Sequence, residues 1–305
     1  MKAMILAAGM GTRLKPLTLI RPKALVPIAN RPVIEIIIEY LKKQGVTEVV
    51  VNAHHLSHHM LKYLDEGKRF DMPIEVRVEP EILGTGGGIK NTSDFWGDEP
   101  FLVINSDIVT DLDLSGAINF HKKTGNIATL ILHDYEKFNK IKIDENSTVV
   151  EISCGCEQGS LAFTGMHVIS PGLLSYIPAG AYYDIIECYR RLIHSGVPIG
   201  AYLAHGFYWR DIGTLDDYVL ANQEALKGTP FLLSEESTVD DGASIKGWAV
   251  IGEHCLVEKG AEVTRSILWD RVKIRKGVRI MDSVVTSSQE VTRDVLSGIV
   301  WDEKV

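Results

Sequence analysis

The sequence predicts an α/β protein with two parts: a doubly wound, mainly parallel sheet followed by a short parallel β-helix. An apolar run that ends in a glycine-rich, basic loop at residues 9–14 predicts a buried parallel strand that opens onto an anion site. Strand-like and helix-like stretches then alternate up to residue 228, as in doubly wound sheets. Beyond residue 231 apolar residues recur at every sixth position, which is typical of a parallel β-helix. We expect one domain over residues 1–228 and a second over residues 231–305.

The strands and helices of the first part follow from local patterns. The apolar run Met4–Ala8 is the first strand. Residues 33–44 carry apolar side chains at helical spacing and precede Gly45, a residue suited to a helix C-cap. Further strands are predicted at Glu48–Ala53, Ile74–Val78 and Phe101–Asn105, and further helices at Ser57–Phe70 and Leu215–Leu226. Ligands of such sheets bind beyond the C-terminal strand ends, where the glycine-rich loop is expected.

The second part has a six-residue apolar repeat. The repeating positions are Val239, Ile245, Ile251, Val257, Val263 and, after one shortened step, Leu268, Ile274 and Ile280. One apolar residue in six can stack into an interior column, and the segment supports roughly two to three triangular coils. So short a solenoid buries little area by itself, so we expect it to pack on the first domain or on another chain.

Length and composition restrict the function. At 305 residues the chain is long enough for two domains, and its net charge of −8 argues against a general nucleic-acid binder. No apolar run approaches the ~20 residues of a membrane span, and no signal peptide precedes the first strand. We therefore expect a cytoplasmic protein without nucleic-acid or membrane partners, whose four cysteines are free thiols.

The glycine-rich loop predicts a nucleotide site. Glycines let the backbone approach a polyphosphate and direct N–H groups at it, and Arg13 and Lys23 add positive charge. A Walker loop would need Gly-Lys-Ser/Thr, which is absent here. A dinucleotide fingerprint would need a third glycine where Leu14 stands. The nucleotide site therefore belongs to neither of these two classes.

Three stretches of the chain form a composite motif: Leu6-Ala-Ala-Gly-Met-Gly-Thr-Arg-Leu14, Pro22-Lys-Ala-Leu25 and Trp209-Arg-Asp-Ile-Gly-Thr214. In this motif the chain resembles the sugar-1-phosphate nucleotidyltransferases (NDP-sugar pyrophosphorylases). The resemblance covers nearly the whole chain. It implies a Rossmann-like catalytic domain, a left-handed β-helix, and Mg²⁺-dependent transfer of a nucleotidyl group from an NTP to a sugar 1-phosphate, with release of pyrophosphate.

The same resemblance assigns residues to the site. Arg13 would contact the β- and γ-phosphates, and Lys23 would support charge on the α-phosphate, both as catalytic residues. Asp107, which follows a predicted strand, and Asp211 would jointly hold Mg²⁺, with Asp111 as a nearby competitor. The expected nucleotide-binding residues are Leu6, Ala7, Ala8, Gly9, Gly11, Thr12, Arg13, Lys23, Asn52, Gly84, Thr85 and Gly86. The expected sugar-binding residues are Asn105, Thr164 and Gly165.

Three features leave alternatives open. Glu79 or Glu81 could accept a hydrogen bond from a guanine edge, or both could be exposed loop acids. Many family members bind the sugar phosphate through the lysine of a Glu-Lys-Pro motif, which residues 133–141 lack; Lys140 is a weak candidate. The four histidines at positions 54, 55, 58 and 59 have i,i+4 spacing. A structural or solvated role is favoured over zinc because no acidic or cysteine ligand lies beside them.

The substrates also have alternatives. The stretch from Glu79 to Gly87 is most similar to guanylyltransferases for mannose- or heptose-1-phosphate. It also resembles uridylyltransferases for N-acetylmuramic acid 1-phosphate, and another hexose 1-phosphate is possible. A catalytically silent NDP-sugar sensor would be expected to have degenerate motifs, and an acyltransferase would have to use His254, the one histidine of the tail. We expect a homo-oligomer, formed through the β-helix.

Overall fold

The computed structural model describes residues 1–301, apart from the side chain of Glu66. Its helices are α1 (Leu17–Ile20), α2 (Val33–Lys43), α3 (Ser57–Leu64), α4 (Gly84–Lys90), α5 (Ser115–Thr124), α6 (Ile185–His194) and α7 (Leu215–Ala225). Its strands are β1 (Lys2–Ala7), β2 (Pro27–Ile28), β3 (Arg31–Pro32), β4 (Glu48–Ala53), β5 (Ile74–Val78), β6 (Phe101–Asn105), β7 (Ile108–Thr110), β8 (Ala128–His133), β9 (Asn139–Ile143), β10 (Val149–Ile152), β11 (Leu161–Ile169), β12 (Gly200–Leu203), β13 (Trp209–Asp211), β14 (Phe231–Leu233), β15 (Thr238–Val239), β16 (Ser244–Ile251), β17 (Leu256–Val257), β18 (Glu262–Leu268), β19 (Lys273–Ile274), β20 (Arg279–Val285), β21 (Glu290–Val291) and β22 (Val295–Val300).

The chain forms two compact units. The first, called the sheet unit, comprises residues 1–10 and 36–210. The second, called the solenoid unit, comprises residues 11–35 and, among the described residues, 211–301. The glycine-rich loop therefore begins in the sheet unit and continues in the solenoid unit. The solenoid unit also contains α7, which precedes the sequence boundary expected near residue 230.

The sheet unit contains a nine-stranded mixed sheet. Its strand order is β10-β9-β11-β6-β1-β4-β5, with β8 paired to β11 and β12 paired to β8. The four strands β6, β1, β4 and β5 are parallel neighbours, as the sequence predicts. Strand β11 is antiparallel to both β6 and β8, so β8 runs in the same direction as β1. The C-terminal ends of β1, β4, β6 and β8 consequently share one edge of the sheet.

Helix α2 shows how an apolar stripe fixes a helix against this sheet. Ile34, Ile37 and Leu41 are fully buried, at the three- and four-residue spacing that places side chains on one helical face. Gly45 follows with φ of +80°, as expected of a residue that ends a helix. The helix predicted at residues 57–70 is correct only in its first half. A 3-10 helix replaces it from Asp65, which adopts a left-handed φ of +39°.

The solenoid unit contains the predicted parallel β-helix. Strands β14, β16, β18, β20 and β22 stack in one parallel sheet, and β15, β17, β19 and β21 stack in another. All eight repeating apolar positions belong to its interior cluster or pack against it. The number of residues between paired positions of β16 and β18 falls by one between the pair Ser244↔Glu262 and the pair Ala249↔Ser266. This register shift corresponds to the shortened step of the sequence pattern.

The stack is taller than the two to three coils expected. Its first strand, β14, and its last, β22, lie outside the stretch where the six-residue period is regular. The last step, from Ile280 to Val295, is shorter than the three hexads of a regular coil. A count based on the period alone therefore missed both ends of the solenoid.

The β-helix packs on the other segments of its own unit. Trp269 is buried and donates from Nε1 to the hydroxyl of Tyr218 in α7, at 2.9 Å. Arg21 stacks over the Trp269 ring at 4.8 Å and donates to Ser287 at 3.1 Å. Asn30 donates to the carbonyl of Ile251 at 2.8 Å. Residues 11–35, which carry Arg13 and Lys23, are therefore fastened to the solenoid.

Candidate active site

The expected nucleotide loop begins where β1 ends. Ala7 pairs with Ala53 at the end of β4, and Ala53 pairs with Val78 at the end of β5. On the other side of β1, Leu6 pairs with Asn105 at the end of β6. The predicted residues Leu6, Ala7, Ala8 and Gly9 thus lie at the centre of the C-terminal edge, where parallel sheets bind ligands.

A buried hydrogen-bond chain fixes the end of β1. The Oδ1 atom of Asn52 accepts from the backbone N–H of Ala7 at 2.7 Å. Its Nδ2 atom donates to Oε1 of Glu79 at 2.7 Å, and Oε2 of Glu79 accepts from the N–H of Leu83 at 3.0 Å. Glu79 is only 1% exposed, so it is neither an exposed loop acid nor directed at a base. Its carboxylate instead joins β4 to the segment that precedes α4.

The predicted glycine loop at residues 83–88 is mostly helix α4. The N–H groups of Gly86 and Gly87 donate to the carbonyl of Tyr183 at 2.8 and 3.0 Å. Thr85 donates to Asp184 at 3.0 Å. A β-carbon built on Gly88 would lie 2.7 Å from Nδ2 of Asn52. The glycines therefore let this helix pack closely, which sequence reasoning missed because glycine disfavours helices.

The expected sugar residues meet on the opposite side of β1. Gly165 in β11 has a φ of +77°, and a β-carbon there would lie 2.8 Å from Nδ2 of Asn105, so a side chain is excluded. Thr164 donates from Oγ1 to the carbonyl of Ile131 at 2.8 Å. Its own carbonyl accepts from Nε1 of Trp209 at 2.9 Å. The predicted nucleotide and sugar groups within the sheet unit thus flank β1 along the same edge.

An aromatic cluster at this edge was not predicted. The ring of His133, the last residue of β8, lies 4.7 Å from Trp209, 5.5 Å from Tyr135 and 5.6 Å from Phe207. Phe138 lies 5.7 Å from Tyr135. Burial lowers the pKa of the His133 imidazole, so the ring is neutral near neutral pH. These rings come from two separate stretches, residues 133–138 and 207–209, and show no periodicity, so no sequence pattern predicts the cluster.

Strand β9 and the following loop lie beside the aromatic cluster. Lys142 of β9 forms ion pairs with Glu151 at 2.9 Å and Glu157 at 2.6 Å, and these hydrogen-bonded carboxylates raise its pKa. Lys140 is half-buried, and its carbonyl accepts from the N–H of Ser153 at 2.8 Å. Of these two lysines, Lys142 is the one whose ammonium group forms ion pairs with carboxylates.

Asp107 lies in the sheet unit, two residues beyond the end of β6. It is half-buried, and its Oδ1 atom is shielded from solvent. Asp111, the alternative considered above, is exposed and accepts from the N–H of Tyr208 at 2.7 Å through Oδ1. Asp111 therefore holds the backbone at Tyr208 by a hydrogen bond, whereas Asp107 lies close to the end of a strand.

The cationic residues and Asp211 lie in the solenoid unit. A β-carbon on Gly213 would lie 3.0 Å from Oδ1 of Asp211 and 3.1 Å from Nη1 of Arg13. The carboxylate and the guanidinium thus flank one point, which only glycine leaves clear. Gly11 has a φ of +61°, and a β-carbon there would lie 3.2 Å from Cβ of Lys23. Thr12 and Arg13 follow in a 3-10 helix.

The donor chemistry of the two predicted metal ligands fits Mg²⁺, because both offer carboxylate oxygens, which hard cations prefer. The histidine stretch offers no such set. His54 hydrogen-bonds the carbonyl of Glu79 at 2.7 Å through Nδ1. Within residues 1–301, the only group of three close histidine, cysteine or acidic side chains is the exposed set Glu236, Glu253 and His254. None of the described helices is long and apolar enough to cross a membrane.

Comparisons with known proteins identify the family. Residues 2–228 match the nucleotidyl transferase family. A UTP–glucose-1-phosphate uridylyltransferase of Synechocystis sp. is 30% identical, over 93% of this chain and 87% of that protein. Mannose-1-phosphate guanylyltransferase 1 of Arabidopsis thaliana is 31% identical, over 93% and 86%.

One solved structure shows the same fold. HddC from Yersinia pseudotuberculosis, complexed with GMP-PN, superposes with a TM-score of 0.63 and 24% identity, over 73% of this chain and 99% of that one. Because the family match spans most of the sequence and the curated relatives are similar over nearly all of it, this chain belongs to the nucleotidyl transferase family of enzymes.

Proposed function

We propose that this enzyme transfers a nucleotidyl group from GTP to mannose- or heptose-1-phosphate and releases pyrophosphate. One observation carries the proposal: within the sheet unit, Asn52 at the end of β4, expected to bind nucleotide, and Asn105 at the end of β6, expected to bind sugar, lie on opposite sides of β1 at a single sheet edge. Such an edge can align two phosphorylated substrates for reaction. A phosphate oxygen of the sugar 1-phosphate then attacks the α-phosphorus in line, and the bond to pyrophosphate breaks.

The nucleotide half rests on the start of the glycine loop. Asn52 holds the N–H of Ala7, so the backbone beyond it leaves β1 in a defined direction. We assign the triphosphate to this backbone, with Arg13 on the β- and γ-phosphates and Lys23 on the α-phosphate. Cations placed there stabilise the charge that develops on the departing pyrophosphate.

We assign Asp107 and Asp211 as the ligands of Mg²⁺, on the family motifs and their carboxylate chemistry. When bound, the ion would neutralise phosphate charge and make the α-phosphorus more electrophilic. The remaining chemistry belongs to the chain itself. Arg13, which flanks Gly213 together with Asp211, supplies positive charge that does not depend on the metal.

The sugar half combines Asn105, Thr164 and Gly165 with a cation for the sugar phosphate. We assign that cation to Lys140, because Lys142 already pairs with Glu151 and Glu157. Lys140 belongs to β9, which pairs with the start of β11, a few residues before Thr164. This pairing places the Lys140 backbone next to the strand that carries the other sugar residues.

The identities of the base and of the sugar are inferred from the relatives. Two of the relatives described above are a mannose-1-phosphate guanylyltransferase and a glucose-1-phosphate uridylyltransferase. A uridylyltransferase for a hexose 1-phosphate, including N-acetylmuramic acid 1-phosphate, is therefore the second candidate. We place the reaction in the cytoplasm. Homo-oligomerisation through the β-helix stays a prediction, which light scattering of the full chain checks.

A matrix of substrates tests the proposal. Each NTP is mixed with each of mannose-, heptose-, glucose- and N-acetylmuramic acid 1-phosphate, with Mg²⁺, and the products are identified by mass. We expect GDP-mannose or GDP-heptose together with pyrophosphate. A UDP-sugar would establish the second candidate. If no pair releases pyrophosphate but an NDP-sugar binds, the protein is a silent sensor and the proposed reaction is wrong.

A further inference from the structure

Two exposed cysteines lie two residues apart in the loop that joins β10 to β11. Cys154 and Cys156 flank Gly155, and both are free and exposed. The other two cysteines, Cys188 and Cys255, are buried. The chain bends at Cys154 and Gly155, and a β-carbon on Gly155 would meet nothing within 4 Å. The loop therefore has both the thiols and the space for a rearrangement.

The separation suits a disulfide. Residues i and i+2 are at most about 7 Å apart in an extended chain, and a bend shortens that distance. Disulfides span Cα separations of roughly 4.4–6.8 Å. A ring closed across a single glycine consequently needs only a local change of the loop backbone.

Each sulfur is held by a different neighbour. Arg190 donates from Nη2 to Sγ of Cys154 at 3.9 Å and to the carbonyl of Ser153 at 3.3 Å. Cys156 donates from Sγ to the carbonyl of Lys137 at 3.3 Å. A bond between the two sulfurs would remove the proton with which Cys156 makes this contact. The loop would then lose one of its attachments to the segment before β9.

The loop is also attached to the backbone of β9. The backbone N–H of Ser153 donates to the carbonyl of Lys140 at 2.8 Å, and the backbone N–H of Glu157 donates to the carbonyl of Asn139 at 3.1 Å. The cysteine loop therefore helps to position β9, which carries the lysine assigned to the sugar phosphate. A change in the loop reaches that lysine through these backbone bonds.

We propose that Cys154 and Cys156 are a redox modification site that forms a reversible intrachain disulfide by exchange with a small disulfide, and that this ring weakens binding of the sugar phosphate. The second statement rests on the proposed function. In the first step a cysteine thiolate attacks one sulfur of the small disulfide, and a small thiolate leaves. The other cysteine thiolate then attacks the protein sulfur of the mixed disulfide and releases the second small thiolate. Two protein thiols are oxidised and one disulfide is reduced to two thiols, which take up the cysteine protons.

Glutathione buffers test the modification on the full-length protein. In oxidised glutathione, the peptide that contains both cysteines should lose two hydrogen atoms and resist alkylation, and reduction should restore both thiols. Cys188 and Cys255 serve as internal controls and should remain thiols. Cys154→Ser and Cys156→Ser should each stop at a mixed disulfide with glutathione. Two thiols that remain alkylatable, or two mixed disulfides without a ring, would overturn the site.

Kinetics test the consequence separately. Oxidation should raise the KM for the sugar phosphate several-fold and leave the KM for the NTP unchanged, and the double variant Cys154→Ser/Cys156→Ser should not respond. A ring that forms without changing the sugar-phosphate KM would overturn the link to binding. If no sugar phosphate is turned over at all, the proposed function fails, whereas the mass measurement still decides whether the disulfide forms.

Discussion

The side-chain oxygen of Asn52 accepts a hydrogen bond from the backbone N–H of Ala7, at 2.7 Å across the neighbouring strands β4 and β1. This contact lies at the point where β1 becomes the glycine-rich loop. Asn52 is itself held by Glu79, and both residues are buried. The direction in which the loop leaves the sheet thus depends on hydrogen bonds between buried side chains and the backbone of the protein itself.

Replacement of Asn52 should affect both stability and nucleotide binding. In Asn52→Ala the partly buried N–H of Ala7 and the buried carboxylate of Glu79 both lose a partner, which costs up to about 1–3 kcal/mol for each unsatisfied group. We expect a lower free energy of unfolding in urea and a higher KM for the NTP. The matched control is Asn146→Ala, an exposed site, which should change neither. Wild-type stability in Asn52→Ala would contradict the structural role of this chain of hydrogen bonds.

The metal assignment is tested by removal of one charge at a time. Asp107→Asn and Asp211→Asn keep the shape of the side chain but weaken a Mg²⁺ ligand. Because metal catalysis contributes several kcal/mol, we expect kcat to fall at least about a hundredfold while circular dichroism stays unchanged. Binding of Mn²⁺, followed by electron paramagnetic resonance without substrates, should weaken in parallel.

Asp111→Asn is the control for the metal ligands. Its Oδ1 atom accepts from the N–H of Tyr208, and an asparagine oxygen can do the same. This variant should retain both activity and Mn²⁺ affinity. A variant of Asp107 or Asp211 that turns over near the wild-type rate would refute the metal site, as would unchanged Mn²⁺ binding.

Gly213 offers a steric test of the catalytic charges. A methyl group there would lie 3.0 Å from Asp211 and 3.1 Å from Arg13, closer than carbon normally approaches oxygen or nitrogen. Gly213→Ala should therefore displace one of the two groups, and because small misplacements can cost about a hundredfold, kcat should fall by roughly tenfold or more. Gly97→Ala is the control, because nothing lies within 4 Å of its added carbon. Equal activity of the two variants would mean that the Arg13–Asp211 geometry is not critical.

The assignment of Lys140 as the ligand of the sugar phosphate is tested against its neighbour Lys142. Lys140→Met should raise the KM for the sugar 1-phosphate and leave the KM for the NTP unchanged. Lys142→Met removes two exposed ion pairs, which contribute little to stability, and should leave both constants unchanged. Initial rates measured with each substrate varied in turn distinguish the two variants. The opposite ranking would move the sugar phosphate away from Lys140.

The sequence predicts the central strands of the sheet and the interior of the solenoid well, for a physical reason. Strands β4 and β6 contain continuous apolar or β-branched runs, and β5 alternates β-branched with charged residues. The solenoid repeats one apolar residue in six, so in these regions the local pattern and the tertiary fold agree. Strand β11 was missed, because its residues Leu161–Ile169 mix apolar, polar and glycine positions. Their burial depends on pairing with β6 and β8, which are distant in sequence.

The residues of the candidate site were inferred from local motifs. Asn105 and Gly165 are separated by sixty residues, yet each was inferred from its own stretch, and they are neighbours in the fold. The role of Glu79 was not predictable, because an acid beside a proline in a loop resembles a surface residue. Its two hydrogen bonds come from β4 and from the turn before α4, and only the tertiary fold brings these together.

Acid should destabilise the protein through a buried histidine that the chemistry does not use. His167 in β11 is 1% exposed and hydrogen-bonds Tyr189 at 2.5 Å, and burial lowers its pKa from 6.5 to about 3. Between these two pH values the unfolded chain binds a proton that the folded chain does not, so stability is complete above about pH 6.5 and falls as the pH is lowered. At pH 5 the loss from this residue should be about 2 kcal/mol.

Urea unfolding at pH 7.5 and pH 5 should show this difference in the wild type and a smaller one in His167→Gln, whereas the exposed His205→Gln should behave like the wild type. An equal pH dependence in all three proteins would exclude His167 as the source.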